Sequence, residues 1–156
     1  MCIKLLTIYF IGGDNMAIWQ FDFDLVTKNT TDELVLQEST VMLLKEKFGI
    51  GKSWSEDLKV FGSLERTCIK IWYENDMPSE VICRLDMTSL SKEQLDTVIE
   101  FANQNNLCIE YDEKTFEPTV ENLKNLILNS AAYRFAKYPR EFFNNLDQNI
   151  DDNKED

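Results

Sequence analysis

In AIWQFDFDLV, residues 17 to 26, four apolar side chains, Trp19, Phe21, Phe23 and Leu25, alternate with the polar Gln20, Asp22 and Asp24. Period-two alternation is what a strand needs when one face meets a core and the other meets water. The segment therefore predicts a β-strand with two carboxylates on the face turned away from the core.

On its C-terminal side, TKNTTDE supplies turn residues and a capping box formed by Thr30 and Glu33, ahead of a helix that carries Leu34, Val41, Leu44 and Phe48 and stops at Gly49. Residues 50 to 66 lack a clear period; Trp54, Leu58, Val60 and Phe61 are expected to pack as a long loop or a short extra strand. TCIKIWYE and EVICRLD are β-rich runs separated by the turn cluster NDMPS, which predicts a hairpin. Ser91 and Gln94 form a second capping box, Leu90 and Leu95 a hydrophobic staple, and Leu95, Val98, Ile99 and Ala102 one apolar helix face. LCIEYD then reads as a strand with Leu107, Ile109 and Tyr111 inward. Pro118 and Thr119 open a third helix whose Val120, Leu123, Ile127 and Ala131 face the core, and Pro139 precedes a last helical turn with Phe142, Phe143 and Leu146.

The resulting order is βαββαβ with C-terminal helices, an α+β two-layer sandwich of ferredoxin-like order, with both helices on one face of an antiparallel sheet. Its other face is expected to carry Gln20, Asp22, Asp24, Lys70, Trp72, Ile82, Arg84 and Glu110. Residues 16 to 146 form the domain, and DQNIDDNKED, 147 to 156, is read as a disordered acidic tail.

Residues 1 to 15 are read differently. MCIKLLTIYFI is far shorter than the roughly twenty apolar residues a membrane span needs, and it lacks the cleavage pattern of a signal peptide. IGGDNM can be encoded by a purine-rich ribosome-binding sequence followed by a start codon, which predicts initiation at Met16. The competing expectation is an extra edge strand with Leu5, Thr7, Tyr9 and Ile11 on one face.

The net charge of −12 argues against nucleic acid or an anionic membrane as partner and favours a basic protein. Cys2, Cys68, Cys83 and Cys108 show neither CxxC nor metal spacing and read as small apolar residues in a reducing, cytoplasmic setting. The chain contains no histidine, which removes the commonest general base and the usual zinc and nucleophile constellations. Gly49-Ile-Gly-Lys-Ser53 is not a phosphate loop, because that motif requires glycine where Glu46 stands and a preceding strand. No cofactor is expected.

Three groups of residues are candidates for function. The sheet face offers Asp22, Asp24, Trp72, Arg84 and Glu110 as a partner-binding surface. AAYRFAKYPREFF, residues 131 to 143, concentrates charge and aromatics and offers Tyr133, Arg134 and Arg140 as a second. The alternative is a metal-dependent phosphoryl or nucleotidyl-transfer enzyme: Asp22 and Asp24, at i and i+2 on one strand face, would join Glu74 and Asp76 of the hairpin around divalent cations. Palm-type polymerases and diguanylate cyclases share the βαββαβ order and place acidic residues there, but no glycine-rich or basic phosphate-binding segment accompanies the acids here. A small-molecule sensor of the ferredoxin-like type would require a dimer and a ligand cleft.

The first strand and the C-terminal third, with YRFAKYPREFF at 133 to 143, resemble small acidic bacterial proteins, some of which look like immunity proteins that neutralise toxins of related cells. That resemblance implies a non-enzymatic cytoplasmic protein that masks a basic toxin. It carries no functional residue over.

Overall fold

The computed structural model describes residues 17 to 137. Within them, one six-stranded, fully antiparallel sheet is combined with four helices in an α+β arrangement. In chain order the elements are β1 (Gln20–Thr27), α1 (Glu38–Phe48), β2 (Leu58–Gly62), β3 (Cys68–Glu74), β4 (Met77–Asp86), α2 (Lys92–Gln104), β5 (Leu107–Tyr111), β6 (Lys114–Phe116), α3 (Val120–Leu128) and α4 (Ala131–Lys137). The strands lie in the order β2-β3-β4-β1-β5-β6.

The alternation in AIWQFDFDLV does what period two requires. Phe21, Phe23 and Leu25 join Ile69, Ile71, Val81, Cys83, Leu85, Leu107 and Ile109 on one face, beneath Leu44 of α1, Val98, Phe101 and Ala102 of α2, Leu123 and Ile127 of α3 and Ala132 of α4. Each fully buried aliphatic or aromatic side chain of this layer contributes about 1.5 to 3 kcal/mol relative to exposure. Both hairpins adjoining the central strands turn through two residues in the left-handed region: Asn75 and Asp76 (φ 53° and 65°) and Asp112 and Glu113 (φ 53° and 63°). Such turns match the right-handed twist of the strands. Pro78, expected to lie in the turn, belongs to β4. It sits beside an irregularity at Trp72 and Tyr73 and beyond Val81, where the pairing with β1 ends, so its missing N–H interrupts no central ladder.

The predicted βαββαβ order lacks two strands, β2 beside β3 and β6 beside β5. β2 is the extra strand allowed for within residues 50 to 66. Its Gly62 (φ 101°) lies so close to the Thr67 carbonyl that a Cβ there would clash, which lets the chain fold back into β3.

The capping box at Ser91 forms: Gln94 N–H donates to Ser91 Oγ at 3.1 Å and Ser91 N–H to Gln94 Oε1 at 3.1 Å. The one at Thr30 and Glu33 does not, because α1 starts only at Glu38 and its N-cap, Gln37, makes no side-chain cap. The cap comes from elsewhere. Asn105, at the end of α2, accepts the Gln37 N–H at 2.7 Å and donates to Thr40 Oγ1 and the Phe101 carbonyl, each at 2.9 Å, so one buried amide ties the two helices together. Thr119 caps α3 as expected, but Val120 and Ala131 are exposed, because the chain breaks at Asn129 and Ser130 and Ala132 takes the inward place. The Met16 start, the edge strand read in residues 1 to 15, the turn after Pro139 and the acidic tail lie outside the described residues.

Candidate functional site

Asp22, Asp24, Trp72, Arg84 and Glu110 share the sheet face opposite the helices, as their parity predicts, and the strand register sets which of them meet. Asp22 stands opposite Arg84 on β4. The guanidinium grips the carboxylate with two bonds, Nε to Oδ1 and Nη2 to Oδ2, both 3.0 Å, and its Nη1 donates to the Leu64 carbonyl at 2.8 Å. Arg84 is 1 % exposed. Its planar fork is therefore committed to holding Asp22 and the β2–β3 loop, where Gln20 Nε2 also reaches the Leu64 carbonyl at 3.2 Å. Arg84 and Asp22 thus form the foundation of this face rather than its contact surface.

Asp24 has the opposite environment. Glu110 on β5 is its direct cross-strand partner, and Glu80, two positions from its β4 partner Ile82, is its diagonal neighbour. Like charges directly opposed in a sheet are destabilising. Burial, then Glu80, Glu110 and Asp22, raise the Asp24 carboxyl to about 6, with Lys70 acting against them. A cleft of about 320 Å³ opens beside this carboxylate group, lined among others by Asp24, Asp32, Ser79, Glu80 and Glu110. Glu80 was not among the sequence candidates, although its parity with Ile82 and Arg84 places it on their face.

The row of Glu110 and Asp24 continues through Ile82 to the buried Lys70 on β3, and Trp72 stands on the same face two residues further along β3. It is directly opposite Glu80 on β4, and Trp54, from the loop before β2, meets its ring edge-on at 5.8 Å and 74°. Leu58, Val60, Cys68 and Leu64 form a small apolar cluster with Trp72 at this end.

Glu74 and Asp76 do not join Asp22 and Asp24. Glu74 pairs with Met77 at the hairpin tip, five residues along β4 from the partner of Asp24, a separation of about 17 Å along the strand. Among the described residues no group of three or more His, Cys, Asp or Glu side chains is placed to hold a metal ion. The four-carboxylate clamp is therefore not assembled.

The C-terminal candidates fall elsewhere. Tyr133 packs against the core on the helix side, with the Lys137 ammonium 5.7 Å from its ring. Phe135 stacks on Trp19 at 6.0 Å. Arg134 lies on α4 and Arg140 outside the described residues. Cys68, Cys83 and Cys108 are buried. Burial pushes Cys83 well above the ordinary thiol range, which makes it an apolar filler and no nucleophile. A larger cleft of about 460 Å³ between α1 and β2, with Val41, Met42, Ile50 and Leu58 in its wall, is remote from the carboxylates.

Among the described residues no helix is long and apolar enough to cross a membrane. Compared with known protein families, curated proteins and solved structures, the chain matches none.

Proposed function

We propose that this chain is a non-enzymatic, cytoplasmic protein-binding protein that uses its acidic sheet face to mask a basic partner, a role of the immunity type. The observation that carries the reading is the opposed pair Asp24 and Glu110 with Glu80 beside it. A fold that sets like charges across a strand pair loses stability there, and positive charge from a partner would relieve that repulsion. The carboxylates are spread over three neighbouring strands, a spacing that suits a row of basic side chains better than a single ion. The charge of −12 over the whole chain would speed the approach of such a partner.

The same reading takes the fold as ferredoxin-like with one strand added at each edge. What supports it is the run β3-β4-β1-β5, which holds the four expected strands, with α1 and α2 over one face. Cys83 and Cys108, buried and in no disulfide, support a reducing compartment.

Affinity purification from cells that make the chain tests this. A basic protein should be retained at low salt, released at raised salt and lost when Glu80 and Glu110 are both changed to Gln. Asp22 is the wrong residue to change, because its loss would release Arg84. Recovery of the same proteins by the wild type and by the variant would contradict the reading.

A further inference from the structure

Beside the Glu110, Asp24, Ile82 and Lys70 row, the neighbouring pair on the same face joins a carboxylate, Glu80, to an indole, Trp72. Trp72 faces Glu80 across β3 and β4, and Trp54 packs against Trp72. Trp54 is 43 % exposed, so its indole is open to a partner. Its loop is held by Ser53 Oγ donating to the Ser55 carbonyl at 2.8 Å, and by the Ser55 and Asp57 N–H groups donating to Ser53 Oγ and Ser55 Oγ at 3.2 Å each. Among the described residues, the cations found over aromatic rings lie on Tyr73 and Tyr133, not on either of these indoles.

We propose that Trp54, Trp72 and Glu80 form an arginine-docking site at which the basic partner anchors. Indole faces are the strongest aromatic partners for a cation, and a guanidinium stacks on them where an ammonium cannot. With its plane against Trp72 or Trp54, an arginine would still have its edge N–H groups free to donate to the Glu80 carboxylate across the strand. Trp and Arg are also the residues that most often dominate protein interfaces. The proposal rests on the acidic-face reading above and adds to it a choice of arginine over lysine.

The test is calorimetric titration with two end-blocked peptides, tetra-arginine and tetra-lysine, at low salt. Tetra-arginine should bind about tenfold more tightly. Trp54→Ala should bring it to the tetra-lysine value while leaving tetra-lysine unchanged, and Glu80→Gln should weaken both. A measurement free of substitutions runs alongside: tetra-arginine should shift the indole N–H resonances of Trp54 and Trp72 and leave that of Trp19 in place. Equal binding of the two peptides, or a preference that survives Trp54→Ala, would overturn the arginine site. If that equal binding is still weakened by Glu110→Gln, the acidic-face reading stands. Failure of both peptides to bind would overturn both.

Discussion

Asp24 on β1 and Glu110 on β5 face each other as a direct cross-strand pair, two carboxylates where a sheet ordinarily places opposite charges or apolar groups. Glu80 adds a third from β4. The result is a half-buried acid pushed up to about 6, beside Asp22, whose two carboxylate oxygens each accept a hydrogen bond from Arg84.

Replacing Asp24 should stabilise the fold. Its carboxyl titrates at about 6 when folded and near 3.9 when unfolded. Between those values the folded chain binds more protons, so stability falls as pH rises through that window and the full cost is present above it. Asp24→Asn removes this slope. With solvent screening discounted, it should raise stability near neutral pH by about 1 kcal/mol. Denaturant unfolding of both proteins at several pH values through this window checks it; parallel curves would contradict it.

Arg84 should tolerate no substitution, lysine included. Arg84→Lys keeps a charge but loses the fork that binds Asp22 and the Leu64 carbonyl together, and Arg84→Met removes both bonds to the Asp22 carboxylate and leaves the Leu64 carbonyl only its longer contact with Gln20 Nε2. Each should cost about 3 kcal/mol, with Asp22→Asn costing less. A double-mutant cycle on urea midpoints should return a coupling between the two positions of at least about 1 kcal/mol.

Asn105 is the shared cap of two helices. Asn105→Ala leaves the Gln37 N–H and the buried Thr40 hydroxyl each without this partner, at an expected cost of about 2 kcal/mol. Hydrogen exchange should show the first turn of α1 opening before the rest of the helix.

Glu113 occupies the left-handed region with no glycine to ease it. Glu113→Gly should stabilise the β5–β6 hairpin by up to about 1 kcal/mol, as the steric cost of a Cβ there disappears. Thermal unfolding gives the sign directly.

These same residues show how far the sequence could be read. Parity alone put Phe21, Phe23 and Leu25 inside and Asp22, Asp24, Arg84, Glu110 and Trp72 on the other face, because side-chain direction in a strand depends only on period. Register is not written in one strand, so neither the Asp22 and Arg84 bond nor the Asp24 and Glu110 opposition was legible before the strands were aligned. β6 has three residues and no apolar alternation, and its turn, Asp112-Glu113, lacks the glycine that marks such hairpins. The Thr30 and Glu33 pattern places the start of α1 too early because its cap, Asn105, comes from a residue sixty-eight positions away from Gln37. Local capping rules cannot see it.

The most direct test of the acidic-face account is the carboxyl titration of Asp24 by carbon-13 NMR, alone and with saturating tetra-arginine peptide. The account predicts a midpoint near 6 for the free protein and a fall of about one unit or more with the peptide bound, as neighbouring positive charge favours the ionised form. A midpoint in the ordinary aspartate range in the free protein, or one that the peptide leaves unmoved, would contradict it.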